Sequence, residues 1–223
     1  TCAILDNGDL KCWGENGQGQ LGDGGNFNTN APSATPVNLG TGRTAVAVTA
    51  GEYHTCAILD DGSLKCWGLD SWGMLGDGGS SANTNAPSAT PVNLGSGRTA
   101  VAVSSTYGHT CAILDNGEAR CWGRDNYGQL GDGGSNTDQG SPIAVSGSNT
   151  WDSSTGLSSG SGSGSGGGSS SSSSFAYAND KLSASSQHTC AILDNGELKC
   201  WGSDNQGQLG DGGSNTNTNA PSS

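Results

Sequence analysis

The chain has 223 residues with 40 glycines, and its 20 acidic against 8 basic side chains give a net charge of -12. Leu, Ile, Val and Phe together number only 30, which would read as a disordered chain were these residues not spaced in register with 8 cysteines. No run approaches the roughly 20 apolar residues of a membrane span, and an acidic surface repels a phosphate backbone, so no membrane span and no nucleic-acid partner are expected.

The string Thr-Cys-Ala-Ile-Leu-Asp-(Asn/Asp)-Gly-x-(Leu/Ala)-(Lys/Arg)-Cys-Trp-Gly begins at Thr1, Thr55, Thr110 and Thr189, so that first cysteines recur after 54, 55 and 79 residues. Within each copy the chemistry is that of a β-hairpin. Cys2–Leu5 and Leu10–Trp13 flank Asp6-Asn7-Gly8, a three-residue loop if Leu5 closes against Asp9, with Gly8 supplying the left-handed residue. That register pairs Ile4 with Leu10 and sets Cys2 opposite Cys12; the same count opposes Cys56 to Cys66, Cys111 to Cys121 and Cys190 to Cys200. Four equally spaced pairs with no cysteine left over predict four hairpin disulfides and an oxidising compartment.

After each hairpin comes a Gly-x-Leu-Gly-Asp-Gly-Gly stretch, as at Gly19–Gly25. The first two units then carry Ala-Pro-Ser-Ala-Thr-Pro-Val-Asn-Leu-Gly at 31–40 and 86–95 and an alternating strand at Ala45–Val48 and Ala100–Val103. Strands are therefore expected at Ala45–Val48, His54–Leu59, Ser63–Trp67 and Thr90–Leu94. Units of about 50 residues with four short antiparallel strands describe the blades of an all-β propeller. The units run 1–54, 55–109, 110–188 and 189–223, the third carrying a Gly/Ser-rich low-complexity insertion at 153–174 that has no means of forming a packed core. The chain starts inside a unit and stops before a last strand, so an incomplete ring is expected, completed by the rest of a longer chain or by copies of itself.

The string His54-Thr-Cys-Ala-Ile-Leu-Asp-Asp-Gly-Ser-Leu-Lys-Cys-Trp67-Gly, followed by Trp72-Gly-Met-Leu-Gly, resembles the regulator of chromosome condensation repeat. The resemblance implies a seven-bladed propeller and covers nearly the whole chain apart from 152–174. Its members include a small-GTPase exchange factor, an ultraviolet photoreceptor and a β-lactamase inhibitor, so the fold alone does not choose a function. The cysteine pair departs from the nuclear members and is similar to a secreted, cysteine-containing branch.

Candidate sites are few. His54, His109 and His188 each precede a cysteine by two residues, but nine residues separate the cysteines of each pair, which is not zinc-site spacing; hydrogen bonding within the blade is the simpler reading. The loops at Asp23–Asn28 and Asp211–Asn215 supply one carboxylate each, fitting turns better than calcium loops, and Asp6, Asp60, Asp61, Asp115 and Asp194 are likewise turn residues. No metal and no cofactor is expected. No nucleophile–base set is recognisable, so no enzyme is expected.

Trp13, Trp67, Trp122 and Trp201 recur at one packing position, whereas Trp72 stands where other units have Gly17, Tyr127 and Gln206 nearby. Trp72 and Tyr127 are the candidates for stacking on a sugar or a protein partner. Pro32, Ser33, Thr35 and Pro36, repeated as Pro87, Ser88, Thr90 and Pro91, are candidate O-glycosylation sites of a secreted chain, or simply shape loops between blades. The leading expectation is a secreted or cell-surface structural protein, a disulfide-stapled subunit of an extracellular assembly or filament. The alternative is a propeller module that binds a protein or glycan.

Overall fold

Each repeat is organised by a tight turn that fixes the register of its hairpin. In the computed structural model, which describes residues 1–79, 82–147, 150–151, 153, 181–212 and 216–221, the first hairpin is β1 (Cys2–Ile4) and β2 (Leu10–Cys12). Leu5 N–H donates to Asp9 O at 2.9 Å, Gly8 takes φ 82°, and Asn7 Oδ1 accepts from Asp9 N–H at 3.0 Å. Gly62, Gly117 and Gly196 occupy the same left-handed position, which a residue with a Cβ adopts only under strain. The second sheet holds β3 (Ala45–Ala50), β4 (His54–Leu59) and β5 (Leu64–Gly68); the third, β6 (Ala100–Ser105), β7 (His109–Leu114), β8 (Ala119–Gly123) and β9 (Gln139–Ala144); the fourth, β10 (Leu182–Ala184), β11 (His188–Ile192) and β12 (Leu198–Gly202), so each takes its first strand from the end of the preceding unit.

These strands form four antiparallel sheets in the orders β1-β2, β3-β4-β5, β6-β7-β8-β9 and β10-β11-β12, an unclosed propeller-like array. Among the described residues only the third sheet shows the expected four strands. In the second, the segment expected as a strand at Thr90–Leu94 touches its neighbour through Val92 N–H to Leu64 O at 2.8 Å, and the chain ahead of it makes an isolated bridge between Thr84 and Gly68. Pro91 has no N–H to give to a ladder, and without that donor the segment becomes a strap. Pro142 lies within β9, at the outer edge of its sheet, where a missing donor is tolerated. The insertion expected at 153–174 lies outside the described residues except for Ser153. Among the described residues no helix is long and apolar enough to cross a membrane.

The registers bring Cys2, Cys56, Cys111 and Cys190 opposite Cys12, Cys66, Cys121 and Cys200, with Cα atoms 4.1 Å apart and sulfurs bonded. Each sulfur pair then serves as a small apolar wall between neighbouring sheets. The core is made of these seams: Leu10, Cys12 and Leu21 meet Ala57, Leu59 and Trp67 of the next repeat; Cys66 and Leu75 meet Ala112 and Trp122; Cys121 and Leu130 meet Ala191 and Trp201.

Each seam also has a polar joint at a backbone carbonyl. Gln20 O accepts the Trp67 indole N–H at 3.1 Å and the Thr55 hydroxyl at 2.8 Å. Met74 O accepts from Trp122 and Thr110 at 2.9 and 3.0 Å, and Gln129 O from Trp201 and Thr189 at 2.9 and 3.1 Å. The glycine two residues after each acceptor makes room for the ring: a Cβ on Gly76 would sit 2.7 Å from Trp122 Nε1, and on Gly131 2.5 Å from Trp201 Nε1. Asparagines fasten the rim. Asn85 exchanges bonds with Gly24 at 2.8 Å, and Asn219 donates to Gly134 O at 2.7 Å.

The Cys111–Cys121 bridge spans 10 residues of sequence, a closure that restricts the unfolded chain by about 2.5–3 kcal/mol. Replacing both residues by Ala is expected to remove that much, and more for the seam volume lost. Urea unfolding of the double variant beside the wild type checks it.

Candidate functional site on the loop face

The β3–β4 and β6–β7 turns and the loops after β5 and β8 emerge at the same end of their sheets, because His54 pairs with Gly68 and His109 with Gly123. On this end Trp72 and Tyr127 come from neighbouring repeats and do not touch each other directly. Arg124 joins them, its guanidinium carbon 5.3 Å from the Trp72 ring centre and 5.9 Å from that of Tyr127. Two further rings extend the cluster. Tyr107 lies 5.3 Å from Trp72, and Tyr53 packs edge-on against Tyr107 at 5.8 Å. All five side chains are half-buried. Tyr53 sits beside Glu52, whose hydrogen bond and negative charge raise the phenol above its ordinary value.

Tyr53, Tyr107 and Arg124 escape a reading that compares single positions. Their signal in the sequence is a tyrosine one or two residues before the His-Thr-Cys of two successive repeats, and an arginine where the other repeats have Glu15, Leu69 and Ser203. Gly108 keeps the cluster close, since a Cβ there would meet Arg124 at 3.2 Å and Trp72 at 3.4 Å.

The histidines go elsewhere. His54 and His109 are wholly buried and bridge repeats, their Nε2 atoms 2.8 Å from the hydroxyls of Thr110 and Thr189. Each threonine gives its own hydrogen to a backbone carbonyl, so each imidazole is the donor at Nε2. Burial pushes His54 down from 6.5 to about 4 and His109 to about 3, the latter also through the other histidines' charge. Among the described residues no group of three or more His, Cys, Asp or Glu is placed to hold a metal.

The acidic loops are turns. Asp23, Asp77 and Asp132 accept from the N–H two residues on at 2.9, 3.1 and 2.8 Å. Residues 213–215 of the fourth such loop lie outside the described residues. A second acceptor closes each loop. Asn16, Asp70, Asp125 and Asp204 are buried and take the N–H of Leu21, Leu75, Leu130 and Leu209 on Oδ1 at 2.8–2.9 Å. Burial, joined by the charges of Asp132 and Asp138, pushes Asp125 up to about 6 against the lowering effect of the Leu130 N–H.

Pro32, Ser33, Thr35 and Pro36, with Pro87, Ser88, Thr90 and Pro91, lie on the outer straps, where Thr35 N–H and Thr90 N–H each donate to the serine hydroxyl two residues back at 3.2 Å.

Models of the regulator of chromosome condensation repeat match residues 7–58, 45–73, 100–129 and 180–208, together more than half of the chain. The human E3 ubiquitin-protein ligase HERC2 is 33% identical over 133 residues, covering 60% of this chain and 3% of the ligase. The ultraviolet-B receptor UVR8 of Arabidopsis thaliana is 29% identical over 212 residues, covering 94% of this chain and 41% of the receptor. The solved structure of yeast RCC1 (Prp20) bound to Kap60 superposes with a TM-score of 0.71 at 17% identity over 99% of this chain and 45% of Prp20, a likeness of fold. The chain thus spans less than half the length of each of these proteins.

These comparisons correct three expectations. The matched relatives include a ubiquitin ligase and a chromosome-condensation regulator bound to Kap60, so assignment to a secreted cysteine-containing branch, the extracellular or cell-surface location and the structural or filament role do not stand. The physical reason is that cross-strand register alone brings the sulfurs within bonding distance and carries no compartment with it.

The buried histidines predict acid sensitivity. With folded values below the unfolded 6.5, their contribution is complete above about pH 6.5 and is lost as pH falls toward 4, at roughly 1 kcal/mol per pH unit each. Asp125 has the opposite sign and offsets part of the loss below about pH 6. Urea midpoints from pH 8 to 4 are expected to decline, and Thr110→Val is expected to lower stability by about 1–3 kcal/mol at pH 7 by stranding His54 Nε2 and removing one of the two donors to Met74 O.

Proposed function

Because the chain belongs to the regulator of chromosome condensation repeat family, we propose that it is a non-catalytic module that holds a protein partner against its loop face. The observation that carries this reading is the half-exposed cluster of Tyr53, Tyr107, Trp72, Arg124 and Tyr127. Trp, Tyr and Arg are the residues that dominate protein–protein hot spots, because they bury much area at small entropic cost. Prp20 is bound to Kap60 in its solved complex, and its binding to Gsp1p and histones has been described, which favours a protein over a glycan as the class of partner. The net charge of -12, with Glu52 beside Tyr53, favours a partner segment of basic character.

Absence of catalysis is supported by where the reactive side chains lie. His54 and His109 are neutral and spent on seams, and every cysteine is bonded. The units 1–54, 55–109, 110–188 and 189–223 are read as successive repeats, each blade taking its first strand from the end of the preceding unit. Further repeats, in the same polypeptide or a second copy, would complete the ring by offering an indole and a threonine to the last loop as Trp201 and Thr189 do to Gln129.

Trp72→Ala is the test. Loss of a hot-spot anchor costs 2 kcal/mol or more, about 30-fold in affinity. Partner proteins captured by wild type from the source cells, then purified and titrated against both chains, are expected to bind the variant at least that much more weakly while its Tm stays within about 2 °C of wild type. Equal affinities would remove the aromatic face from recognition.

A further inference from the structure

The four loop-closing residues differ in one respect that the first repeat explains. Asn16 closes its loop with both ends of its amide: Oδ1 accepts from Leu21 N–H, and Nδ2 donates to Asp23 Oδ1 and Gly25 O, each at 3.1 Å. In the third repeat the residue is Asp125. Its Oδ1 keeps the bond to Leu130, its own N–H goes to Asp138 Oδ1 at 2.9 Å, and Oδ2 is buried with no hydrogen-bond partner. The side chain is wholly buried, and the position that holds a donor in repeat one holds an acceptor here, next to the carboxylate that corresponds to Asp23. Asp204 Oδ2 in the fourth repeat is left in the same state.

We propose that Asp125 binds a proton at Oδ2 and, as a neutral carboxylic acid, replaces the Asn16 amide as the donor that latches the Asp132 loop, making the order of the Arg124–Tyr127 segment depend on pH. Protonation forms the O–H bond from a solvent proton and leaves Oδ1 free to keep accepting from Leu130. The charges that bear on the group agree: Asp132 and Asp138 are both negative, burial acts in the same direction, and together they hold the carboxyl at about 6. The neighbouring cation gives no relief, because the Arg124 guanidinium is stacked on Trp72 and Tyr127. This assigns a regulation to the proposed binding face and borrows its location from that reading, yet the latch itself is measured without a partner.

The experiment compares the full chain with Asp125→Asn, which restores the donor of repeat one. A carboxyl whose folded value lies above its unfolded one contributes stability below the unfolded value that is lost as pH rises through the folded one. The Tm difference, variant minus wild type, is therefore expected to widen from pH 4 to about 6 and to stay flat above, at about 5 °C in favour of the variant. Taking the difference removes the histidine contribution common to both chains. The converse variant, Asn16→Asp, is expected to lose Tm above pH 6 and recover it near pH 4. In carbon-detected NMR of the wild type, the Asp125 carboxyl signal should titrate near 6. A difference that is independent of pH, or a carboxyl signal that titrates near 4, would overturn the latch. If the latch is seen while Trp72→Ala leaves partner binding intact, the proton site stands and only its link to recognition fails.

Discussion

Everything in this fold hangs on a backbone carbonyl that is offered across a seam. Gln20, Met74 and Gln129 each present one oxygen to the following repeat, which meets it with an indole N–H and a threonine hydroxyl. That oxygen lies where the chain has just turned through a glycine-rich loop, and the glycine two residues on is what allows a tryptophan to approach the loop closely. Without the joint, each sheet would have a polar loop facing an apolar ring, and a buried carbonyl would be left without a donor.

The joint also explains how so few large apolar residues suffice. A seam needs one leucine from the loop, one tryptophan from the next repeat, alanines and a disulfide wall. The core is divided among seams, each filled by neighbours, as expected of an architecture whose units contact only the next one along. Burial in the seam is also what keeps His54 and His109 neutral, since charging either would place a cation between two packed sheets.

The hairpins were the most legible part of the sequence. The Asp-Asn-Gly turn and the cysteine spacing determine a register locally, and Cys111 does face Cys121. The straps were less legible, because Thr90–Leu94 has the composition of a strand and only Pro91 warns that the ladder lacks a donor there. At the loop face, Trp72 and Tyr127 stood out as odd residues against their repeats, but the arginine that joins them did not, since contact between different repeats has no signature in linear spacing. The compartment was misjudged for a related reason: pairing is a property of register, while location is set by the cell in which the protein works.

The acceptor in each seam belongs to the main chain, so the identity of the residue that carries it is free: Gln, Met and Gln serve alike at positions 20, 74 and 129. The residues two positions before, Gln18, Trp72 and Tyr127, sit on the outer side of the same loop and differ in every one of those repeats. Assembly and display are thus written in different alphabets along one short stretch, the first in backbone and glycine, the second in side chains. A lineage of such repeats can acquire or discard a binding surface by substitutions that the scaffold does not feel, and variation should gather on that outer row while the turns beneath it stay the same.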